Sequence, residues 1–275
     1  MITASIVLYK TPKKDVIDII NCLLNSIIET TWIIDNSPSD DLRTTLCHYT
    51  SKIEYIYGHG NIGYGAGHNI AIHKAITQHA KYHIILNPDI SFKSEIIQNL
   101  YSFMESNKDV GLVMPKVFYP NGNLQPLCKL LPNPFDIFAR RLLPKILYKR
   151  RNSKYEMHFT GYDKLWNCPN LSGCFMFIRI TTLIQVGDFD QHFFMYFEDT
   201  DLVRRIHRVS KTIYYPYVSI IHNHAAEHRH NKKLLKISIK SAILYFNKWG
   251  WLFDKERRQY NKRALTQTDN NYATL

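Results

Sequence analysis

The first half of this chain alternates between strand-like and helix-like segments, and this order constrains the fold more than any other feature. A β-rich run at 2–9 is followed by helical apolar spacing over 15–28, and the alternation continues to a strand at 110–114. Between them, strands are predicted at 31–34, 53–57 and 82–86, and helices at 40–49, 68–79 and 94–105. The pattern is typical of an α/β fold with a mostly parallel, doubly wound sheet. Ligands of such sheets bind beyond the carboxyl ends of the strands.

The second half of the chain departs from this alternation. Scattered prolines and basic residues without a clear period fill about 126–170, which we interpret as an insertion that covers the site as a lid. Strands are then predicted at 172–179 and 212–221, and helices at 181–186, 199–209 and 232–249. We therefore predict a main domain over 1–228 and a basic C-terminal helix and tail over 229–275.

The composition is that of a globular protein. Hydrophobic residues make up 45% and charged residues 21% of the chain, and no apolar run is long enough to span a bilayer. The first residues lack the basic region and cleavage site of a signal peptide. The five cysteines form no C-x-x-C pair. They favour reduced thiols and a cytoplasmic location over a disulfide framework or a zinc ribbon.

The net charge of +12 indicates polyanionic partners, namely nucleic acid, anionic lipid or phosphorylated substrates. Eleven basic residues lie between Arg229 and Arg263, in a segment that also contains Trp251, Leu252 and Phe253. This segment fits best an amphipathic helix packed on the body with a solvated basic face. Contact with an anionic membrane surface is the next interpretation, and nucleic-acid binding comes last.

Carboxylates and histidines stand at predicted strand ends. Asp89 ends the sequence Asn87-Pro88-Asp89, where it could cap the next helix or bind a cation. One carboxylate suffices for Mg²⁺ or Mn²⁺ when a substrate diphosphate supplies other oxygens. His222 and His224 follow a later strand and share one face. One functional histidine is favoured there over a zinc site, and a solvated turn is the plain alternative.

Two further motifs each have a functional and a structural interpretation. Glycines in the loop from Asn61 to Asn69 would let backbone amides approach a phosphate, or they form a flexible connection. The loop matches neither the dinucleotide fingerprint nor the P-loop. Glu198, Asp199 and Asp201 follow a run of aromatic residues. They indicate a general base or cation site, or the capped acidic start of a helix.

Taken in order, these motifs resemble the family-2 glycosyltransferases of GT-A fold, in the bacterial rhamnosyltransferase-like branch. The likeness runs from Ile6 to about Asn261. It is carried by five motifs: Asp35-Asn36-Ser37, Asn61-x-Gly-x-Gly-x-Gly-x-Asn69, Asn87-Pro88-Asp89, Ser172-Gly173-Cys174, and 187–205 with its Glu198-Asp199 pair. The resemblance implies a GT-A catalytic domain with an insertion on the acceptor side.

The resemblance also implies a role for each matched position. Asp199 is the catalytic base with Glu198 beside it, and Gly173 lies on the acceptor side. Asp89 ends the family's D-x-D motif and binds Mg²⁺ or Mn²⁺ with His222, His224 being the alternate. The positions implied to surround the nucleotide-sugar are Val7, Tyr9, Thr11, Asp35, Asn61, Gly63, Asn69 and Asn87. Because Asn87 replaces the first acid of D-x-D, the metal site has one charge fewer.

The implied activity is metal-dependent, inverting transfer of a hexose, with rhamnose favoured, from a dTDP- or UDP-sugar. UDP-hexose and UDP-galactofuranose are the alternative donors. The acceptor would be a lipid-linked bacterial surface polysaccharide such as O-antigen, met at the inner face of the cell membrane, and nucleic acid is not an expected partner. Two other classes stay open at this point: a sugar-nucleotide nucleotidyltransferase, and a non-catalytic nucleic-acid binder suggested by charge alone.

Overall fold

The computed structural model describes residues 1–49, 52–142, 144–223 and 231–267. The first half contains β1 (Ile2–Leu8), α1 (Lys13–Leu24), β2 (Thr30–Asp35), α2 (Arg43–Leu46), β3 (Ile53–Tyr57), α3 (Tyr64–Thr77), β4 (Tyr82–Leu86), β5 (Ile90–Ser91), α4 (Glu95–Ser106) and β6 (Val110–Phe118). The predicted alternation is therefore confirmed. Most bounds differ by a few residues. The larger differences are that α2 is a single turn of 4 residues, that α3 begins inside the glycine-rich loop rather than at His68, and that β6 continues to Phe118.

The second half is more regular than its sequence indicates. It contains β7 (Cys128–Lys129), α5 (Pro134–Leu142), α6 (Lys145–Tyr155), a 3-10 turn (His158–Thr160), β8 (Trp166–Asn167), β9 (Asn170–Leu171), β10 (Phe175–Arg179), α7 (Ile180–Val186), α8 (Glu198–Val209), β11 (Lys211–His222), α9 (Lys232–Trp249) and α10 (Lys255–Leu265). The insertion thus carries two helices that the sequence analysis missed, and α10 was not predicted as a separate helix. The prolines that obscure the helical period stand at helix starts, where their missing N–H is tolerated.

The main sheet has the strand order β3-β2-β1-β4-β10-β6-β11-β5. The strands β1, β2, β3 and β4 are mutually parallel, and β11 is parallel to β6. Strand β10 runs antiparallel to both of its neighbours, β4 and β6. As a result β10 begins at the edge where the parallel strands end. This edge collects most of the polar motifs.

Helices cover both faces of the sheet, which explains why its central strands are buried throughout. In β1, alternate residues Ile2, Ala4, Ile6 and Leu8 pack with α1 and α4, whereas Val7 packs with α3 and α8 on the other face. All seven positions of β1 and all five of β4 are buried. Within the described residues, no helix combines the length and apolarity needed to cross a bilayer.

The C-terminal helix α9 packs on the aromatic segment that precedes α8. Phe193 joins Ala242, Tyr245 and Phe246 in a small apolar cluster. The hydroxyl of Ser241 donates a hydrogen bond to the carbonyl of Met195 at 2.8 Å. The lysines of α9 face solvent, so α9 is an amphipathic helix packed on the body, as predicted. The division of the chain at residue 228 stays a prediction.

Candidate active site

The polar motifs meet at the carboxyl edge of the sheet. The amide of Asn36, just past β2, donates to the carbonyl of Leu8 at 2.9 Å. Beyond β4, the amide of Asn87 donates to the carbonyl of Cys174 at 2.9 Å. The amide of Asn223 donates to the carbonyl of Asp89 at 2.8 Å. These backbone contacts hold the ends of β1, β2, β4 and β11 and the start of β10 at one edge.

Asp89 and His222 face each other across this edge. The Nε2 atom of His222 lies 3.3 Å from Oδ1 of Asp89. On the far side of the ring, Gln125 donates from its amide nitrogen to the carbonyl of His222 at 2.7 Å, and its Oε1 lies 3.0 Å from Nδ1. That amide oxygen accepts the Nδ1 proton, so Nε2 is the nitrogen presented to Asp89. No motif in the sequence points to Gln125, which lies 97 residues before His222.

The electrostatics of His222 depend on its neighbours. Burial alone lowers the pKa of His222, but Asp89 and Cys174 outweigh it and raise the pKa to about 10. A protonated His222 therefore pairs with Asp89 when no cation is present. A metal ligand must be a neutral imidazole, so a bound cation would replace this proton.

Carboxylate and imidazole at one point are donors that Mn²⁺ and Mg²⁺ accept. Among the described residues, no group of three or more His, Cys, Asp and Glu side chains is placed to hold a metal. The two side chains Asp89 and His222 therefore fit a metal that is completed by substrate oxygens, not an all-protein site. His224 lies outside the described residues.

Tyr64 links Asn87, which lies beside the Asp89–His222 pair, to Gly173, just before β10. Its hydroxyl lies 3.0 Å from Oδ1 of Asn87 and 2.8 Å from the carbonyl oxygen of Gly173, and its single proton can be donated to either acceptor. Burial, followed by the charge of Glu198, raises the pKa of Tyr64 well above its ordinary value, so the phenol keeps its proton. Tyr64 lies inside the glycine-rich loop, but the residues of that loop to which the resemblance assigns a role are glycine and asparagine, not tyrosine.

Asp199 stands on the other side of Gly173. Its Oδ2 accepts a hydrogen bond from the amide of Gly173 at 2.9 Å, and its Oδ1 accepts one from the amide of Thr200 at 2.7 Å. A Cβ on residue 173 would lie 3.0 Å from the Cβ of Asp199, so this approach favours glycine. Asp199 is half-buried, and each carboxylate oxygen has lone pairs for a further donor. The side chain is thus oriented by backbone amides and still open to the cleft.

The backbone before this carboxylate is strained. Tyr196 and Phe197 have φ of 71° and 67°, in the left-handed region that non-glycine residues rarely adopt. Phe197 is held by Tyr245 of α9, with ring centroids 5.3 Å apart. Such strain persists only where the surrounding structure fixes it, and it is typical of functional sites. The acidic start of α8 is confirmed, because Glu198, Asp199 and Asp201 lie in its first turn, but its N-cap is Phe197 and makes no side-chain hydrogen bond.

Glu198 has a different environment from Asp199. It is 5% exposed, and its Oε2 has no hydrogen-bond partner among the described residues. Burial first, and then the charge of Asp199, raise the pKa of Glu198 well above its ordinary value. The environment behind Asp199 therefore favours the protonated form of Glu198. Asp201 is fully buried and accepts hydrogen bonds from Arg205 and Trp249, so it holds the helix in place.

We expect Glu198→Gln to lessen the loss of stability at high pH. The folded-state pKa of Glu198 is raised, so its protonated form stabilises the fold at low pH. That contribution is lost as the pH rises from the ordinary value of 4.5 towards the raised one. Glutamine carries no charge at any pH and removes this loss. Urea unfolding from pH 4.5 upward should show a flatter profile for Glu198→Gln, with exposed Glu95→Gln as the control. Parallel profiles for Glu198→Gln and wild type would contradict a raised pKa.

The glycine-rich loop owes its composition to packing. A Cβ on Gly65 would lie 2.8 Å from Phe189, and one on Gly67 would lie 2.8 Å from Val7. Gly63 has φ of 93°, and a Cβ there would lie 2.3 Å from the carbonyl oxygen of Phe194. These glycines let α3 approach β1 and the segment that leads into α8. Close packing therefore accounts for the glycines of the motif, and their approach to a phosphate stays a prediction.

Asn69 belongs to the same packing. Its amide nitrogen donates to the carbonyl of Phe189 at 2.8 Å, and its Oδ1 accepts from the amide of Phe189 at 2.9 Å. It is 1% exposed. This differs from the expected position in the nucleotide-sugar pocket, because both ends of the amide are used to fix the segment before α8. Asn61 is exposed, and its Oδ1 accepts from the amide of Gly63 at 3.2 Å.

The predicted nucleotide end lies at β1 and β2. Asp35 is buried, and its two oxygens accept from the amide of Ser37 at 2.9 Å and from the hydroxyl of Tyr55 at 2.8 Å. Tyr9 is 50% exposed, and its amide donates to the hydroxyl of Thr11 at 3.3 Å. His59 was missed by the sequence analysis. Its Nε2 lies 2.8 Å from Oδ1 of Asn36, which links the loop after β3 to the end of β2.

Several named proteins are similar to this chain in sequence. The low-salt glycan biosynthesis hexosyltransferase Agl10 of Haloferax volcanii is 29% identical over 70% of this chain and 58% of its own length. The rhamnosyltransferase WbbL of Escherichia coli is 23% identical over 78% of this chain and 80% of its own. An N-acetylglucosaminyl-diphospho-decaprenol L-rhamnosyltransferase of Mycobacterium tuberculosis is 22% identical over 70% of this chain and 66% of its own length. The chain thus spans little more than half of Agl10.

Solved structures share the fold. GalNAc-T7, crystallised with UDP, GalNAc and Mn²⁺, matches with a TM-score of 0.67 at 13% identity, over 90% of this chain and 48% of that one. Residues 1–349 of S. aureus TarS, in complex with UDP-GlcNAc, match with a TM-score of 0.58 at 12% identity, over 96% of this chain and 71% of that one. The expected GT-A fold is thereby confirmed.

The family model described as glycosyl transferase family 2 matches residues 6–187, which is more than half of the chain. The match includes the carboxyl edge with Asp35, Asn87 and Asp89, and it ends before Glu198 and Asp199. Two of the similar proteins are rhamnosyltransferases, so the chain is similar to that branch. This chain belongs to glycosyl transferase family 2.

Proposed function

We propose that this chain is an inverting hexosyltransferase that moves a sugar, rhamnose in the first place, from a nucleoside diphosphate to a hydroxyl of a growing glycan. The observation that carries the proposal is a continuous series of contacts between the side that holds Asp89 and His222 and the side that holds Asp199. Tyr64 contacts both Asn87 and the carbonyl of Gly173, and the amide of Gly173 contacts Asp199. These contacts hold the Asp89–His222 pair and the partly exposed carboxylate of Asp199 at one edge of the sheet, as transfer between two substrates requires.

The chemistry follows from the different states of the two acidic side chains. Asp199 takes the proton of the acceptor hydroxyl while that oxygen attacks the anomeric carbon. The bond from this carbon to the diphosphate oxygen breaks, and the nucleoside diphosphate leaves. Glu198 is buried, so only Asp199 of this pair is available to substrate. One available carboxylate supports a single inverting displacement rather than two successive ones.

Asp89 and His222 would hold the metal ion of this reaction. Mg²⁺ or Mn²⁺ there would neutralise the charge that develops on the departing diphosphate. Asn87 lies beside this pair, with its amide nitrogen 3.3 Å from Nε2 of His222, and it adds no charge. The solved relative GalNAc-T7 holds UDP and Mn²⁺, which supports this combination of ligands.

The names of the similar proteins support the substrate classes. Rhamnose is the sugar moved by two of them, and a dTDP- or UDP-sugar is the donor we propose, with UDP-hexose and UDP-galactofuranose as alternatives. The mycobacterial protein is named for a diphospho-decaprenol acceptor. A lipid-linked acceptor of bacterial surface polysaccharide would bring this chain to the inner face of the cell membrane.

Asp89→Ala tests the donor side. We expect the Mn²⁺-dependent affinity for UDP or dTDP to fall about 100-fold, since a metal held by few protein side chains loses its charged ligand. Isothermal titration with and without Mn²⁺ measures this. Asp109→Ala is the matched control, because Asp109 is an exposed carboxylate that precedes β6 at the opposite edge of the sheet. An unchanged Mn²⁺-dependent affinity in Asp89→Ala would contradict the metal assignment.

A further inference from the structure

A cationic cavity separate from the carboxyl edge lies between the insertion and α10. It has a volume of about 670 Å³. Four of the described residues that line it are basic: Arg151, Arg257, Arg258 and Lys262. Arg151 is paired with the carboxylate of Asp136 at 2.6 Å and Arg257 is buried, so Arg258 and Lys262 supply the exposed charge. Arg258 and Lys262 are exposed on one side of α10, four residues apart. Such a surface attracts anions and repels other cations.

Large apolar side chains project beside this cavity. Leu252 is 68% exposed and Phe253 is 87% exposed, in the connection between α9 and α10. On α6, Ile146 is 83% and Leu147 is 66% exposed, and Leu147 lies one turn before Arg151. Exposed apolar residues that cluster beside basic ones are typical of surfaces that contact a partner or a membrane.

The connection that carries Leu252 and Phe253 is held firmly by the protein. The guanidinium of Arg257 donates to the carbonyls of Gly250 and Trp251, at 3.3 and 3.0 Å. The ring of Trp251 stacks on Phe138 of α5, with centroids 6.4 Å apart and planes 7° apart. The two apolar side chains are therefore presented on a fixed backbone, which lowers the entropy lost on insertion into another phase.

We propose that this face docks on an anionic lipid bilayer. Leu252 and Phe253 enter the boundary between headgroups and acyl chains, while Arg258 and Lys262 bind lipid phosphates. The inference rests on the proposed function in so far as a lipid-linked acceptor lies in such a bilayer. Nucleic acid fits less well, because three of the four exposed apolar side chains, Leu252, Ile146 and Leu147, are aliphatic and offer no ring for bases to stack on.

The docking face is connected to the catalytic segment. The ring of Trp251 lies 5.2 Å from that of Phe246 in α9. Phe246 in turn lies 6.4 Å from Phe197, the residue before Glu198. A bilayer held at Leu252 and Phe253 is therefore one helix away from the acceptor side of the site.

Vesicle sedimentation with the full chain tests the proposal without any substrate. The probe is a vesicle of phosphatidylglycerol and phosphatidylcholine, compared with phosphatidylcholine alone. Leu252→Ser with Phe253→Ser should lower the partition coefficient at least about tenfold. Arg258→Gln with Lys262→Gln should lower it about 30-fold at low salt and little at high salt. The exposed Ile184→Ser on α7 is the matched control and should bind like wild type.

The outcomes separate this proposal from the catalytic one. All these side chains are exposed, so melting temperatures should stay unchanged and transfer to a water-soluble acceptor should be retained. Equal binding to both kinds of vesicle, or equal loss in Ile184→Ser, would overturn the docking face while leaving the transferase assignment intact. Binding of the wild type to DNA but not to vesicles would overturn it in favour of nucleic acid.

Discussion

Asp199→Asn is expected to lower kcat between about 10²- and 10⁴-fold, the range that a positioned general base contributes. The amide of asparagine has nearly the shape of the carboxylate but cannot take the proton of an acceptor hydroxyl. Donor affinity should change little, because Asp199 contacts the amides of Gly173 and Thr200 and lies across Gly173 from the metal side. Single-turnover transfer gives the rate, and isothermal titration of the donor gives the affinity.

The control for this variant is Asp188→Asn. Asp188 lies in the segment before α8, and its carboxylate pairs at the surface with His73 at 2.7 Å. That change should leave kcat within about twofold of wild type, because a surface pair contributes little. Turnover like wild type in Asp199→Asn would contradict the assignment of the base. Loss of donor binding in step with turnover would show that the variant had damaged the whole site.

Arg204→Met is expected to lower the free energy of unfolding by about 3–5 kcal/mol. Arg204 is 1% exposed and makes two hydrogen bonds of 2.7 Å to Asp254. Its guanidinium also lies 4.1 Å from the ring centroid of Trp249. Methionine leaves the buried carboxylate of Asp254 without its main partner, and the attachment of α8 to α9 and α10 is lost. Thermal unfolding should show a fall in Tm of about 6–10 °C.

Arg208→Met is the matched control for that prediction. Arg208 binds the carboxylate of Glu256 at 2.6 Å, as Arg204 does from the other side, but 46% of its side chain is exposed. A solvated pair contributes less than about 1 kcal/mol. The two variants should therefore differ by several degrees in Tm. Small and equal shifts would mean that the buried network does not hold the C-terminal helices.

The fold could be predicted from the sequence because its signals are local. The β-rich run at Ile2–Leu8 and the apolar spacing of α1 specify their own elements. The reversal of β10 could not be predicted, since it follows a segment whose period is hidden by prolines. The two helices of that segment, α5 and α6, were missed for the same reason. The sequence indicated polar motifs at several strand ends, and the parallel sheet brings most of these motifs to its carboxyl edge.

The site could be predicted only in part. Asp89, Gly173, Asp199 and His222 carry motifs that a reader of the sequence can find, and the structure brings them to one edge. Tyr64 and Gln125 have no such motif, because their roles arise from contacts across 109 and 97 residues. Asn69 illustrates the opposite case. Its motif suggested a ligand contact, but its partner is the backbone of Phe189, 120 residues away.

The most direct test of the central claim is the melting temperature of the protein with Mn²⁺ and a panel of dTDP-, UDP- and GDP-sugars. A ligand at 100 times its Kd that binds only the folded state stabilises it by about 2.7 kcal/mol. We predict that at least one dTDP- or UDP-sugar raises Tm in wild type and in Asp199→Asn, and that the rise is lost in Asp89→Ala. No rise with any sugar nucleotide, or a rise that Asp89→Ala retains in full, would contradict a metal-assisted donor site at the carboxyl edge of this sheet.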